Sequence, residues 1–278
     1  MKKGINIWSF PAGMSIEDCM KLAAKTGYDS IELSLDATGP LSLESSDEEI
    51  VYFKNLAKEL GIEISSLATG LYWGTPLTSD DPAIRQKAKD TVRFQLKAAK
   101  LLGCDAILVV AGCVGADFIE NCPVTPYDVA YDRALEALKE LAPDAEKAGV
   151  TIALENVWNK FLLSPLETRD FIDKIGSDYV KMYFDIGNVL VTGYPQHWVK
   201  ILGKRIARVH VKDFRTIVGN INGFVDLLSG DANFPEVMKE LRACGYDGYL
   251  TAEMNGFPCA TDAVVVHTKD DLDRIVNM

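Results

Sequence analysis

Histidine is scarce in this sequence, and the cysteines form no motif. Three histidines occur in 278 residues, and the six cysteines are scattered without a CxxC pair. CxxC pairs are the usual signature of thiol redox sites and of many zinc sites. We therefore interpret the six cysteines as reduced thiols, which predicts a cytoplasmic protein.

The sequence also lacks an excess of positive charge and any long hydrophobic run. Its 29 Lys and Arg against 40 Asp and Glu give a net charge of −11. Nucleic-acid binding depends on basic residues that neutralise phosphates, so this class is disfavoured. No apolar run approaches the ~20 residues of a membrane span, and the start MKKGINIWSFPAG fits a first strand better than a signal peptide. We expect neither nucleic acid nor membrane as a partner.

A glycine joint recurs along the chain. An Ala/Lys/Leu-rich stretch leads to glycine and then to a short β-rich run, which is the pattern of a helix ending before a strand. Seven joints predict seven strands, and GINIWSF adds an eighth before a first helix from Ser15 to Thr26. The joints lie at Gly27, Gly61, Gly103, Gly149 and Gly245, with weaker copies at Gly176 and Gly203.

The alternation of strands and helices predicts the fold class. Strands that alternate with helices pair in parallel through right-handed crossovers. Eight such units in this length predict a (β/α)8 TIM barrel, a single domain over residues 1–278. An open doubly wound sheet is the alternative, but no GxGxxG or GxxxxGK[ST] supports it. Two long irregular segments, residues 71–83 and 113–126, are candidate lids.

Side-chain parity on the last four predicted strands selects four polar residues. In TIALE, KMYFD, ARVHV and YLTAE the apolar residues occupy one parity, and in a barrel the other parity points inward. Active sites of such barrels lie at the C-terminal ends of the strands. The inward residues at these ends are Glu155, Asp185, His210 and Glu253.

These four residues indicate a metal site. Three carboxylates at one barrel mouth would repel one another unless a cation lay between them. A set of three oxygens and one nitrogen suits Mn²⁺, Co²⁺ or Mg²⁺. Taken alone, His210 would fit a packed core residue, and a strand-end carboxylate would fit a cap. Their shared parity favours the metal site.

Other polar and aromatic candidates have weaker patterns. We interpret His197 and His267 as structural residues. Glu32 ends the second predicted strand and has little support from the parity of its neighbours. Trp8 follows the first strand, where an aromatic ring would either stack on a substrate or cap the core.

As a set, the four strand-end motifs resemble those of a known superfamily. ALEN with Glu155, YFDIGN with Asp185, RVHVKD with His210 and GYLTAEM with Glu253 are similar to motifs of the xylose-isomerase-like sugar isomerase/epimerase superfamily of TIM barrels. Within it, the chain resembles the ketose 3-epimerase and L-ribulose-5-phosphate 3-epimerase group over almost its whole length. The resemblance implies a divalent metal held by all four residues, with both glutamates as acid and base.

The resemblance also implies a reaction, the C3 epimerisation of a ketose or ketose phosphate. One of Glu155 and Glu253 would remove the C3 proton and the other would return a proton to the opposite face, through a metal-stabilised cis-enediolate. An aldose–ketose isomerase, an inosose- or dehydroshikimate-type dehydratase and a non-catalytic sugar-binding barrel stay open as alternatives. The expected partner is a small sugar or sugar phosphate, and we expect a homo-oligomer.

One position departs from the free-ketose epimerases. Those enzymes have histidine three residues after the metal-binding aspartate, whereas this chain has Asn188, and its DIGN and HVKD segments resemble the phosphopentulose epimerases. Asn188, Arg215, Lys160 and Trp8 are the predicted substrate contacts. For Lys160, Lys212 and Arg215 the alternative is a solvated loop charge.

Overall fold

Eight parallel strands close into a barrel in the computed structural model of the protein, which describes residues 1–257, 259, 260 and 262–278. The barrel strands are β1 (Lys2–Asn6), β2 (Ser30–Ser34), β3 (Glu63–Ala68), β4 (Ala106–Val109), β5 (Thr151–Glu155), β6 (Val180–Asp185), β7 (Ile206–Val211) and β10 (Tyr249–Ala252). Their order around the barrel is β1-β10-β7-β6-β5-β4-β3-β2. Closure between β1 and β2 confirms the predicted TIM barrel and rules out the open sheet.

Helices follow the strands and cover the outside of the barrel. A short antiparallel hairpin, β8 (Asp213–Phe214) and β9 (Phe224–Val225), lies between β7 and the next helix. Among the described residues, no helix has the length and hydropathy to cross a membrane. The helices are α1 (Ile16–Thr26), α2 (Asp47–Leu60), α3 (Pro82–Leu102), α4 (Tyr127–Ala148), α5 (Pro165–Ile175), α6 (Pro195–Leu202), α7 (Phe234–Ala243) and α8 (Ala263–Val276).

Most of the predicted joints end helices as expected. Helices α1 to α5 each stop at a left-handed glycine, and Ser15 caps the start of α1. Gly203 differs, because its backbone (φ 52°, ψ −126°) leads into a 3-10 turn. The first strand is shorter than predicted, since the Asn6 side chain accepts a hydrogen bond from Trp8 N (2.7 Å) and turns the chain. Trp8 consequently lies in a 3-10 helix, Ile7–Ser9.

The barrel interior is unusually polar beneath its mouth. The main apolar core fills the space between strands and helices, and Phe184 belongs to it. Inside the barrel, a small apolar cluster contains Ala153 and Tyr183, which confirms the predicted parity of β5 and β6. Asn6 and Glu32 are fully buried in the same interior. Burial of a polar group costs free energy unless the group is hydrogen-bonded. We therefore expect a network of hydrogen bonds in this interior.

Candidate metal centre

Four predicted residues meet at the C-terminal mouth of the barrel. Glu155, Asp185 and His210 lie at the ends of β5, β6 and β7, and Glu253 is the first residue after β10. These strands are neighbours in the barrel. Each of the four side chains offers a ligand atom within 4.8 Å of the others. The structure therefore brings together the whole set that strand parity selected.

Backbone contacts fix the carboxylate of Asp185. The register of β6 and β7 places Asp185 opposite His210. Asn188 N donates to Asp185 Oδ1 (2.8 Å), and the Asn156 side chain bridges both backbone groups of Asp185. Because Oδ1 is occupied by the DIGN turn, Oδ2 is the oxygen left to face the cluster.

The two ring nitrogens of His210 contact carboxylates on opposite sides of the ring. Nδ1 lies 3.0 Å from Glu155 Oε1 and 3.1 Å from Glu253 Oε2. Nε2 lies 2.7 Å from Glu32 Oε2, on the side away from the mouth. With Nε2–H donated to Glu32, Nδ1 is the nitrogen that can present a lone pair to the cluster. Burial opposes the imidazolium, but the acidic groups around the ring raise the pKa of His210 well above its usual value.

Glu32 is a residue whose role the sequence pattern underrated. It lies in the middle of β2, not at its end as predicted, and it is fully buried. Its Oε2 accepts from Asn6 Nδ2 (2.5 Å) as well as from His210. Its Oε1 accepts from Ser66 Oγ (2.7 Å) and Tyr183 Oη (2.8 Å). The signal was the polar residue at every second position of SIELS, which directs Glu32 into the barrel.

The environment of Glu32 favours its charged form. Burial opposes ionisation, but His210 and the hydrogen bonds from the surrounding donors lower the pKa of Glu32 below its usual value. A carboxylate that accepts several donors is stabilised as an anion. Glu32 therefore has the character of a fixed acceptor that orients the ring of His210.

Two buried carboxylate oxygens without a hydrogen bond mark the space between the four side chains as a candidate cation site. Asp185 Oδ2 and Glu253 Oε2 are buried and form no hydrogen bond of acceptable geometry among the described residues, although Lys212 Nζ and His210 Nδ1 each lie 3.1 Å from one of them. Such atoms are costly in a native interior unless they bind something. Both face His210 Nδ1, at 3.9 and 3.1 Å respectively. The donor set is three carboxylate oxygens and one imidazole nitrogen, which fits a hard divalent cation.

The two glutamates of the cluster differ in electrostatic character. Burial raises the pKa of Glu155 from 4.5 to about 7. Burial acts in the same direction on Glu253, but Lys212 and His210 outweigh it and lower its pKa to about 2. Burial also raises the pKa of Asp185. In the metal-free protein, Glu155 therefore holds a proton more readily than Glu253 does.

Lys212 is the second residue that the pattern underrated. Its side chain is 15% exposed, and its Nζ lies 2.8 Å from Glu253 Oε1 and 3.1 Å from Asp185 Oδ2. The alternative of a solvated loop charge is therefore wrong for Lys212. The missed signal was again parity, because Lys212 continues the inward series Arg208, His210 by one more step.

A cavity of about 140 Å³ opens over the cluster. Glu155, Glu253 and Lys212 line its polar side. Trp73 and Phe118, from the two candidate lids, line its apolar side, with ring centres 5.0 Å apart. The predicted lids thus meet above the carboxylates.

The predicted substrate contacts divide into two pairs. Asn188 and Trp8 line this cavity. Lys160 lines a larger apolar cavity beside it and forms an ion pair of 2.6 Å with a surface aspartate. Arg215 lines a polar cleft that adjoins the cavity, and its Nε donates to Ser229 O (3.1 Å). Asn188 and Trp8 line the cavity that contains both glutamates, whereas the cleft of Arg215 contains only Glu253 and the cavity of Lys160 contains none of the candidate ligands.

The closed barrel and the ligand cluster at its mouth define a TIM-barrel protein with a candidate metal centre. A family model described as "Xylose isomerase-like TIM barrel" matches residues 20–273. The chain belongs to this family, which confirms the resemblance in its motifs.

Named relatives of the chain are sugar epimerases. L-ribulose-5-phosphate 3-epimerase UlaE of Escherichia coli (strain SMS-3-5) is 27% identical over 262 residues, covering 90% of this chain and 86% of the relative. Among solved structures, an L-ribulose 3-epimerase has a TM-score of 0.82 at 18% identity, covering 99% of this chain and 94% of that one. A D-psicose 3-epimerase in the presence of D-fructose has a TM-score of 0.78 at 20% identity, covering 99% and 96%. At such identities the structural matches show the fold.

Proposed function

We propose that this protein is a metal-dependent sugar 3-epimerase that acts on a ketose or ketose phosphate. One observation carries the proposal: Glu155 and Glu253 are the two outer members of the ligand cluster and line one cavity. Two carboxylates placed in this way can exchange protons with opposite faces of one substrate carbon. The UlaE relative, whose name is L-ribulose-5-phosphate 3-epimerase, supports the same reaction class.

The proposed ligands are Glu155, Asp185, His210 through Nδ1, and Glu253. A divalent ion held by them, Mn²⁺, Co²⁺ or Mg²⁺, would supply Lewis-acid stabilisation of the negative charge that forms beside a carbonyl when a proton leaves. Asp185 and His210 lie between the glutamates in strand order and have no proton to transfer in this scheme. They hold the centre in place, and Glu32 fixes the ring of His210 from below.

The glutamates carry the proton in the proposed reaction. An ionised glutamate removes the C3 proton, and the glutamate on the other side returns a proton to the opposite face of C3. The configuration of the substrate decides which glutamate acts first. Trp8, Trp73 and Phe118 surround the cavity with aromatic surface, which limits the access of water to the carbanion.

We also propose that the substrate is a phosphorylated ketose. Lys212 is the cation among the described residues that line the cavity, and it is already paired with carboxylates. A substrate phosphate would therefore extend past the cavity toward Arg215 or Lys160. Asn188, in place of histidine, and the DIGN and HVKD segments favour the phosphorylated class.

Isotope exchange tests the proposed reaction. We would incubate Mn²⁺-loaded protein with free and phosphorylated ketoses in D₂O and follow the label by NMR. Deuterium at C3 together with the C3 epimer is the expected result. Label at C1 would show an aldose–ketose isomerase instead, and the absence of label from every sugar would exclude epimerisation and favour a dehydratase or a binding protein.

The cytoplasmic location and the homo-oligomeric state also belong to this proposal. The six cysteines are all free thiols, which is typical of reducing compartments. Light scattering coupled to size-exclusion chromatography measures the oligomeric state, and a monomer at micromolar concentration would contradict that part of the proposal.

A further inference from the structure

Lys212 places a largely buried ammonium group inside the candidate metal centre. It contacts two of the proposed ligands, at 2.8 Å from Glu253 Oε1 and 3.1 Å from Asp185 Oδ2. Neither the ligand set nor the proton transfers make use of it. We propose that Lys212 is a resident cation that offsets the repulsion among the carboxylates and thereby lowers the affinity of the centre for its metal ion.

The fold holds the Lys212 side chain in this position from two sides. A Cβ added to Gly187 would lie 2.5 Å from Lys212 Cβ, so the DIGN turn can approach the lysine only because it has glycine there. On another side, Lys212 Nζ lies 5.6 Å from the centre of the Phe224 ring, a cation–π distance. Phe224 belongs to the β8–β9 hairpin. The ammonium is thus built into the mouth of the barrel and does not reach it from solvent.

The contact with Asp185 makes Lys212 a competitor of the ion. Asp185 Oδ2 is one of the two oxygens without a hydrogen bond that mark the candidate cation site, and it is also the oxygen of this residue that forms the ion pair with Lys212. A bound ion and the ammonium would share it and repel each other across a short distance. At Glu253 the two do not compete, since Lys212 contacts Oε1 whereas Oε2 faces His210.

A purely structural role of Lys212 predicts that its removal changes the metal affinity in the opposite direction. If the lysine served only to hold Glu253 in place, its removal would leave a poorly positioned ligand and the affinity for metal would fall. If its charge dominates, removal raises the affinity, and the gain grows with the charge of the ion because Coulomb energy is proportional to that charge. The sign of the change and its dependence on ion charge therefore separate the two roles.

The test is a direct titration of metal-free protein with Mn²⁺ and, separately, with Tb³⁺, in the absence of sugar. We expect Lys212→Met to lower the Kd for Mn²⁺ by about tenfold or more, which implies about thirtyfold for Tb³⁺ by the charge scaling. Lys212→Arg keeps the charge and should stay within about threefold of the original Kd. Lys89→Met is the matched control, since Lys89 is 17% exposed and pairs with Glu140 at 2.7 Å far from the centre.

Thermal unfolding gives a second readout. Metal-free Lys212→Met should melt about 5 °C or more below the unmodified protein, because its buried carboxylates lose their counter-ion. The Mn²⁺-loaded forms should differ less, since the ion takes over that role. If the metal-free variant does not fold, protein folded with Mn²⁺ is chased with a chelator, and Lys212→Met should release the ion more slowly.

The inference rests on the metal centre of the proposed function but on no sugar chemistry. If the unmodified protein binds no divalent ion, both the metal centre and the role of Lys212 are overturned. If it binds Mn²⁺ and Lys212→Met has an unchanged or higher Kd, the role of Lys212 is overturned while the metal centre stands.

Discussion

The two sides of the His210 ring form the most informative contrast in the molecule. Below the ring, Glu32 accepts hydrogen bonds from four donors and has no free capacity. Above the ring, Asp185 and Glu253 each keep a buried oxygen that forms no hydrogen bond of acceptable geometry among the described residues and has only a charged neighbour at 3.1 Å. The carboxylate below the ring is thus fully hydrogen-bonded, whereas the two above it each keep an oxygen without a hydrogen bond.

This difference distinguishes a carboxylate that supports its neighbours from carboxylates that can still bind a ligand. A buried carboxylate with all its acceptors filled can only orient its neighbours, and a native interior tolerates such a group because its cost is offset. Orphaned carboxylate oxygens a few ångströms apart are tolerated when a ligand completes them. This contrast supports the proposal that Glu32 holds the His210 ring and that the cluster above the ring binds the metal ion, and the following predictions test each side of the ring.

The largest effect should come from removing the charge of either glutamate above the ring. Glu155→Gln and Glu253→Gln should each lower turnover by about 10³-fold or more, since each loses a general acid or base and a metal ligand. Steady-state epimerisation assays measure this, with circular dichroism as the check on folding. Turnover near the original level in either variant would remove that glutamate from the mechanism.

Removal of the support below the ring should weaken metal binding by an intermediate amount. Glu32→Gln should raise the Kd for Mn²⁺ by about 10- to 100-fold, the usual cost of losing a carboxylate partner of a ligand histidine. Tyr183→Phe deletes one of the four donors and should have a smaller effect in the same direction. The absorption spectrum of the Co²⁺ form should change in Glu32→Gln if the ring is reoriented.

The control for this prediction is Glu63→Gln. Glu63 pairs with Lys2 at 2.6 Å at the start of β3 and is half exposed. It should leave both the Kd and the Co²⁺ spectrum unchanged. A Glu32→Gln protein that binds Mn²⁺ as tightly as this control would show that the lower network does not support the centre.

Metal affinity should rise with pH. Burial raises the pKa of Glu155 from 4.5 to about 7, so its proton must leave before the carboxylate can bind an ion near neutral pH. The raised pKa of His210 acts in the same direction, because a proton on Nδ1 excludes the ion. Titrations between pH 5.5 and 7.5 should show log K rising by about one to two per pH unit. A flat profile would mean that neither group holds a proton in the metal-free protein.

The raised pKa of Glu155 also predicts how the stability of the metal-free protein changes with pH. Because the folded-state pKa of Glu155 lies above its ordinary value, its contribution to the stability of metal-free protein is complete below about pH 4.5 and is lost as the pH rises through about 7. The increase in Tm produced by Mn²⁺ should therefore grow over the same range. Calorimetry at several pH values measures it.

The smallest effect should come from the wall of the cavity. Trp8 is 41% exposed and contributes aromatic surface without a hydrogen bond to the cluster. Trp8→Ala should lower kcat/KM by about three- to tenfold through KM, the usual value of one aromatic contact, and leave the Kd for Mn²⁺ unchanged. A change in metal affinity would place Trp8 in the support of the centre.

Sequence reasoning worked where one residue type repeated with a fixed period. The seven glycine joints and the N-terminal GINIWSF segment predicted eight strands and the barrel, and strand parity selected the four residues that meet at its mouth. The parity rule was not applied far enough along the chain. Applied to β2, it directs Glu32 into the barrel. Continued by one more step in HVKD, it directs Lys212 inward as well. The extent of β1 was misjudged because the Asn6 side chain accepts a hydrogen bond from Trp8 N, which ends the strand, and apolar periodicity does not report such a bond.

The sequence by itself determined the barrel, the parity of its strands and the set of candidate ligands, because alternation along a strand and helix termination at glycine are local properties. Only the tertiary structure decided which oxygens are satisfied. Glu32 and His210 lie 178 residues apart in the chain, and the hydrogen bond between them exists only because the barrel closes through β1, between β2 and β10. The Glu32 contact to Nε2 in turn leaves Nδ1 of His210 to face the carboxylates at the barrel mouth. The partners of a buried polar atom are set by the assembled fold, and no local pattern contains them.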